Sequence, residues 1–227
     1  MQKPAARTIA IGVAILLAAL SLGYWGYSEL RVRNLHQAVE KLVDGTSARL
    51  RETLATGIAA LPGDSAELPE ALERPAAQIE ADLARLRAFG ASPDRALVLA
   101  ADQYIDDALR VLRAVALTHR RNQALRGSHA ALVGHMQDAR RRSDTWIEAA
   151  IGLKKRYEAD YLGFEIAAGA LHTLLESLSE SRAKLARHLG RETLVAEGTI
   201  AGARQGLAAM LEQTAAERAK TRQLAPR

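Results

Sequence analysis

The 227-residue chain contains no cysteine, which excludes disulfide bonds, thiol chemistry and covalent haem attachment through Cys-x-x-Cys-His. Aromatic residues make up only 4% of the chain, fewer than a compact core usually contains. Strand-like alternation of Val, Ile or Thr is also absent. The apolar residues are mainly Ala and Leu, alongside Arg and Glu, a composition typical of long helices. The sequence therefore predicts an all-α protein.

Motifs of enzyme active sites are missing as well. The chain has no Gly-x-Ser-x-Gly elbow, no P-loop and no dinucleotide-binding glycine pattern. Asp106 and Asp107 form the most conspicuous carboxylate pair, but adjacent residues on a helix point about 100° apart and cannot share a proton. We therefore expect no enzyme activity, no catalytic residue and no bound cofactor.

The six histidines do not follow a metal-binding pattern. Neither Glu-x-x-His nor His-Glu-x-x-His occurs, and these are the spacings used by metal sites in helical proteins. His36 with Glu40 and His172 with Glu176 are pairs four residues apart, which usually make surface contacts on a helix. We expect no metal site.

Long uncharged runs are scarce, and the longest lies near the N-terminus. Lys3 and Arg7 precede an uncharged run of 21 residues at positions 8–28. As a helix, this run would be roughly 31 Å long, about the thickness of the hydrocarbon core of a bilayer. An aromatic cluster at its end, Tyr24, Trp25 and Tyr27, suits the membrane interface. The run predicts a transmembrane signal anchor in contact with the lipid bilayer.

Two other interpretations of this run remain open. Residues Ser21-Leu22-Gly23 could be the cleavage site of a signal peptide, or the run could be a buried helix. With an anchor, the short N-terminal tail favours a cytoplasmic N-terminus and an exported C-terminal domain. The Ala- and Arg-rich usage is typical of bacteria. The predicted location is then the bacterial inner membrane, as a single-pass protein with a periplasmic domain.

The expected domain organisation follows from helical periodicity and from the positions of proline and glycine. The expected segments are a short basic tail at 1–7, the anchor at 8–28, a membrane-proximal long helix at 29–61, a proline-containing loop at 62–75, an antiparallel helical bundle at 76–222 and a disordered tail at 223–227. Two stretches of the bundle have coiled-coil-like seams. Their residues are Val98, Ala101, Ile105, Ala108, Leu112, Val115 and His119, then Leu171, Leu174, Leu178, Ser181 and Leu185.

Helix ends within the bundle differ in how well they are marked. Gly90 through Asp94 combines a glycine stop, a serine cap and a proline, and Gly190 predicts another helix end. The residues from Arg126 to His129 predict a turn, with a second candidate break at Ser143. Gly198, Gly202 and Gly206 lie four residues apart in the last helix, where they weaken the helix or line a close approach to another helix.

Basic residues are concentrated in the middle of the chain. The segment from Arg110 to Arg156 has eleven basic and three acidic residues, for a net charge of +8, while the rest of the chain is at −3. The basic residues are Arg110, Arg113, Arg120, Arg121, Arg126, Arg140, Arg141, Arg142, Lys154, Lys155 and Arg156. This asymmetry predicts a surface for an anionic partner, or else solvated helix faces paired with acidic neighbours. Nucleic acid is not expected, because aromatic residues are not interleaved.

Taken together, these patterns predict an anchored interaction or scaffold module that binds a protein partner or a second copy of itself. One alternative is an accessory sensory module that acts through a partner protein and binds a small molecule. Another is a coiled-coil component of an envelope machine. A polar pocket inside the bundle would favour the sensory module, whereas an exposed apolar stripe without a pocket would favour the scaffold.

Overall fold

A computed structural model describes residues 4–61, 68–90, 92–137, 143–193 and 195–224. Side chains are described within these ranges for Tyr27 and from residue 29 onward, except at 60, 223 and 224. The chain forms α1 (Pro4–Ala60), α2 (Leu68–Arg87), α3 (Arg95–Gln137), α4 (Asp144–Leu189) and α5 (Glu197–Leu224), with no strand in the described ranges. The prediction of an all-α helical bundle is confirmed.

The helices alternate in direction along the bundle. The Ser47 and Tyr104 hydroxyls are 2.8 Å apart, and further along both helices the Asn122 amide donates to the Leu61 carbonyl at 2.6 Å, so α1 and α3 are parallel. In α4, Ala167 accepts from Thr118 of α3 at 3.3 Å, and later residues of α4 lie beside earlier residues of α3. Helices α3 and α4 are therefore antiparallel.

The remaining helices follow the same alternation. Arg87 of α2 binds Asp102 of α3, while Arg113, further along α3, binds Glu80, so α2 runs opposite to α3. Helix α5 runs opposite to α4 and packs on α1, where Gly206 lies against Ile58. Thus α1, α3 and α5 point one way and α2 and α4 the other.

The core is built from residues at helical spacing, mostly Leu, Ile, Val and Ala. Helix α3 lies between α1, α2 and α4, so its buried surface extends around more than one face. Burial removes roughly 25 cal/mol of unfavourable hydration per Å² of apolar surface. Fully buried large side chains occur on all five helices or their junctions; those of greatest volume include Leu50, Leu61, Ile79, Leu97, Tyr104, Ile105, Leu112, Leu132, Phe164, Leu171 and Leu175.

Capping residues define several helix ends. The Ser143 hydroxyl accepts from the Trp146 amide at 3.2 Å and begins α4, as the candidate break at Ser143 predicted. Gly190 ends α4 with φ of 67°, and Gly90 follows α2 with φ of 61°, a backbone conformation that favours glycine. Asp94 begins α3 by accepting from the Leu97 amide at 3.0 Å.

Two predicted boundaries differ from the structure. Helix α3 continues through residues 126–129, and the Ser128 hydroxyl donates to the Leu125 carbonyl one turn earlier at 3.0 Å instead of capping a new helix. Helix α2 begins at Leu68, within the segment expected to be a loop, and contains Pro75. Pro69 is tolerated because the N–H groups in the first turn of a helix have no carbonyl acceptor within the helix, so no hydrogen bond is lost where proline lacks an N–H.

The predicted membrane location requires correction. Among the residues whose side chains the structure describes, no helix carries an apolar run long enough to cross a membrane. This finding contradicts the location of the protein as a single-pass inner-membrane protein with a periplasmic domain. Among the described side chains of α1, the charged residues Glu29, Arg31 and Arg33 interrupt any apolar run, because charges are costly in hydrocarbon.

The segment 8–28 that was expected to be the signal anchor belongs to α1, and its side chains, except that of Tyr27, lie outside the described residues. The predicted interface positions Tyr24 and Trp25 lie outside them as well. Tyr27 is exposed.

Candidate functional site

The basic residues of α3 lie mainly beside acidic residues. Arg113 binds Glu80 of α2 at 2.8 Å, and Arg120 lies 3.9 Å from Glu73 of the same helix. Arg110 is 3.5 Å from Asp106, one turn earlier on its own helix. These ion pairs are solvent-exposed, so each contributes only about 0–1 kcal/mol to stability. This row of arginines borders α2.

The other basic residues of the segment lie elsewhere. Arg121 packs over Gly163 of α4, and Arg126 lines a cavity described below. Lys154 is half-buried, Lys155 is exposed, and Arg156 lies 3.9 Å from Asp160. Arg140, Arg141 and Arg142 lie outside the described residues.

The segment therefore extends along the α3–α4 hairpin. From the register of the two helices, Arg110 and Lys155 are about 30 Å apart along the bundle. An anionic partner for this segment stays a prediction.

A row of exposed aliphatic side chains marks the outer face of α4, defined here as Ile147, Ile151, Lys155, Glu158, Leu162 and Ile166. Its four aliphatic members are 40–64% exposed. Their helical positions lie roughly opposite those of Phe164 and Leu171, which are fully buried in the core. Because successive members are three or four residues apart, they share one side of the helix.

Neighbouring helices cover the flanks of α4 but leave this face open. On one flank, Gly163 and Ala167 face α3. On the other, Glu158 accepts hydrogen bonds from Arg218 and Arg222 of α5. The outer face thus forms a strip between two packed flanks, with Glu158 at the edge nearest α5.

These arginines alter the ionisation of Glu158. Hydrogen bonds from Arg222 and Arg218, together with their positive charges, lower the pKa of the Glu158 carboxyl, although partial burial opposes the change. The same contact raises the pKa of Arg218, whose guanidinium also lies 4.0 Å from the centre of the Tyr161 ring. Glu158 is therefore a stable negative charge within the outer face.

A polar cavity of about 140 Å³ lies between α3, α4 and α5, near the end of α1. Its lining includes Asn122, which donates to the Leu61 carbonyl at the end of α1 and so connects the cavity wall to that helix. The full lining is Asn122, Leu125, Arg126, His129, Tyr157, Met210, Gln213, Thr214 and Glu217. Polar groups from three helices converge there, which is typical of ligand pockets.

Hydrogen bonding defines the tautomer of one cavity residue. The Thr221 hydroxyl donates to the Glu217 carbonyl at 2.9 Å, so its oxygen accepts the 3.0 Å bond from His129 Nε2. In the neutral ring, Nδ1 is then the acceptor. Tyr157 stands beside this ring, with centroids 5.5 Å apart, and burial raises the pKa of its hydroxyl. The pair therefore supplies a neutral hydroxyl and an imidazole acceptor.

Metal-binding geometry is absent from the described part of the chain. No group of three His, Cys, Asp or Glu side chains there is placed to hold an ion. His36 instead binds Asp94 at 2.9 Å, and His172 lies 3.5 Å from Glu176.

The chain matches no protein-family model, no curated protein and no solved structure.

Neither the outer face nor the cavity was predicted from the sequence. The outer face has a readable signal, since Ile147 with Ile151 and Leu162 with Ile166 are pairs of aliphatic residues four positions apart. Several apolar rows occur on α4, and periodicity does not tell which one is covered. The cavity has no comparable signal, because its lining comes from helices separated by dozens of residues.

Proposed function

We propose that the protein is a non-catalytic docking module, a helical bundle that binds another protein through the outer face of α4. The observation that carries the proposal is the row of four exposed aliphatic side chains on that face. Single exposed aliphatic residues are ordinary on protein surfaces, but an aligned group of them is typical of an interaction site.

The energetics of this face suit protein binding. Complete burial of an Ile or Leu side chain contributes about 1.5–3 kcal/mol, and these side chains are already roughly half covered, so each would contribute about 1 kcal/mol. Lys155 lies between the aliphatic pairs on the same side of the helix and provides a polar contact there. A partner with apolar side chains and acidic groups would complement both features.

Site-specific photo-crosslinking in the native cell tests the proposal. A photoreactive amino acid is placed at Ile151 or Leu162, in the centre of the outer face. The control position is Leu99 of α3, which is 57% exposed and lies about 35 Å from Leu162 and about 50 Å from Ile151 along the bundle. All three positions expose an aliphatic side chain, so nonspecific hydrophobic binding affects them equally.

We expect a discrete protein adduct from the two α4 positions and none from Leu99. An adduct from all three positions, or from none, would contradict a docking role for the outer face. The size of the adduct also shows whether the partner is a second copy or a different protein.

A second candidate function is small-molecule binding, favoured by the cavity between α3, α4 and α5. A cavity of about 150 Å³ in another helical protein holds benzene, so 140 Å³ accommodates a ligand of about six non-hydrogen atoms. Asn122, which is part of the cavity wall, donates a hydrogen bond to the Leu61 carbonyl at the end of α1. A ligand there would contact three helices and stabilise their relative positions, as a sensory module requires.

Thermal unfolding with a panel of small polar fragments tests this candidate. The matched variant is Thr214→Leu, which adds an apolar side chain at a half-buried position on the cavity wall. We expect at least one fragment to raise the unfolding midpoint of the native protein and to have no effect on the variant. Equal shifts in both proteins, or no shift with any fragment, would rule out the cavity as the binding site.

A further inference from the structure

We propose that the partner of the outer face is a second copy of the same chain, bound through an antiparallel pairing of the two α4 helices around a two-fold axis. This inference rests on the proposed function, since it names the occupant of that docking surface. It follows from the order and spacing of the residues on the face.

The spacing and the order of aliphatic and charged residues along the outer face are the same from either end of α4. Its six members are separated by four, four, three, four and four residues. They form two rows with a spacing of four, Ile147–Ile151–Lys155 and Glu158–Leu162–Ile166. Rows of this spacing are the ridges that interlock in the commonest class of helix packing. Each row has two aliphatic residues at its outer end and a charged residue at its inner end.

This symmetric order allows two copies of α4 to pair around a two-fold axis. If it passes beside the peptide bond between residues 156 and 157, Ile151 of one copy lies opposite Leu162 of the other. The same rotation places Ile147 opposite Ile166. Each contact occurs twice, because the two copies present the same surface to one another. Eight exposed aliphatic side chains become covered by the pairing.

The charged residues at the centre agree with this arrangement. The same rotation places Lys155 opposite Glu158 of the other copy, so each lysine approaches a carboxylate that Arg218 and Arg222 of that copy also bind. Lys155 is exposed, and the Glu158 side chain is 27% exposed despite its contacts with Arg218 and Arg222. A parallel pairing would place like charges together, Lys155 on Lys155 and Glu158 on Glu158, which is unfavourable. The charges of Lys155 and Glu158 therefore favour the antiparallel over the parallel orientation. Glu148 and Glu165, which are exposed on the same side of α4, lie opposite a glutamate of the other copy in either orientation.

Disulfide mapping tests the register of the pairing. The chain has no cysteine, so introduced thiols are the only ones present. In the double variant Ile151→Cys/Leu162→Cys, each thiol lies opposite a thiol of the other copy. We expect mild oxidation of the purified protein to produce a covalent dimer. The single variant Ile151→Cys should remain monomeric on a denaturing gel, because its thiol faces a leucine.

A second double variant, Ile147→Cys/Leu162→Cys, controls for random collision. It also has two exposed thiols, but they are one helical turn out of register. We expect at most a small fraction of the cross-linking seen with Ile151→Cys/Leu162→Cys. Equal cross-linking in both double variants, or efficient cross-linking of the single variant, would overturn the proposed register.

Analytical ultracentrifugation of the purified full chain provides a readout without thiols. We expect a dimer, and we expect Leu162→Asp to weaken it more than about 100-fold, because two carboxylates would be buried opposite apolar side chains. Leu99→Asp adds the same charge at a distant exposed position and should leave the dimer unchanged. Circular dichroism confirms that both variants are folded.

The outcomes separate this inference from the proposed function. A purified protein that is monomeric over the whole concentration range overturns the second copy as partner. If photo-crosslinking in the cell still gives an α4 adduct, the docking function stands with a different partner. If neither experiment gives a complex, both proposals are wrong.

Discussion

At the residue scale, buried polar groups hold the helices in register. Tyr104 is fully buried on α3, its hydroxyl lies 2.8 Å from that of Ser47 on α1, and burial raises its pKa to about 12. Asn122 connects the next part of α3 to the end of α1. A shift of either helix would leave such a group without its partner, at a cost of about 1–3 kcal/mol.

Asp94 offers a test at this scale. It caps α3, and the hydrogen bond from the Leu97 amide, with a further one from His36, lowers the pKa of its carboxyl. A lowered pKa means that the stabilisation is present above the unfolded value, 3.8, and is lost as the pH falls through the folded value. We expect Asp94→Ala to cost about 1 kcal/mol near neutral pH and progressively less in acid, measured by urea unfolding.

The control for this prediction is Asp94→Asn. Asparagine caps a helix but carries no charge, so its deficit should be smaller than that of Asp94→Ala, and both deficits should shrink in parallel in acid because only the native Asp94 titrates. A deficit of Asp94→Ala that stays constant from about pH 6 to pH 3 would show that the carboxylate charge does not contribute.

At the scale of a single element, α5 contains three glycines with different surroundings. A Cβ atom at Gly206 would lie 3.3 Å from Ile58 Cγ2, so α5 approaches α1 closely at that position. At Gly198 and Gly202, a Cβ atom would meet nothing within 4 Å. The sequence suggested either a weak helix or a close approach, and the structure assigns close approach to Gly206 alone.

This difference predicts opposite effects of the same substitution. Gly202→Ala should stabilise the protein by about 0.5–1 kcal/mol, because alanine loses less backbone entropy in a helix and has room for its methyl group. Gly206→Ala should give a smaller gain or a loss, because Ile58 must move. Chemical denaturation of both variants measures the difference. Equal stabilisation would contradict the close packing of α5 on α1.

Helix α4 shows what helical periodicity can and cannot predict about burial. Its spacing predicted the buried residues Leu171, Leu178 and Leu185, and the structure buries them. The aliphatic pairs at Ile151 and Leu162 have similar spacing but are exposed. Both rows would suit a packed face, and only the positions of α3 and α5 around α4 decide which row they cover.

At the scale of the whole molecule, the basic segment is divided among different surroundings. In the linear sequence it reads as one charged block, but Arg113 faces α2 and Arg126 lines the cavity. Lys155 instead belongs to the outer face of α4. The antiparallel hairpin of α3 and α4 spreads the block along the bundle, because two residues of the hairpin become neighbours only where they are about equally far from the turn.

Self-association of the whole molecule predicts a concentration-dependent stability. If the native state is a dimer and the unfolded state is not, mass action raises the unfolding midpoint as the protein concentration increases. We expect this increase in calorimetry of the native chain and not of Leu162→Asp. A midpoint independent of concentration for both proteins would contradict a dimer held together by folded α4 faces.

The sequence alone determined the helical class of this protein, because composition and spacing act locally on each segment. Its cap signals located the start of α4 at Ser143 and that of α3 to within two residues, since the cap is Asp94 and not the predicted Ser92. The continuity of α3 past Ser128 was missed because packing on α4 and α5 supports that stretch and outweighs local turn propensity.

The tertiary structure decided everything that depends on how helices meet. It placed Arg113 beside Glu80, opened the cavity lined by His129 and left Ile151 and Leu162 uncovered. These features arise from residues on different helices, whose relative register is determined by the burial of many side chains at once. The local sequence does not determine that register, so the candidate site could be identified only in the folded chain.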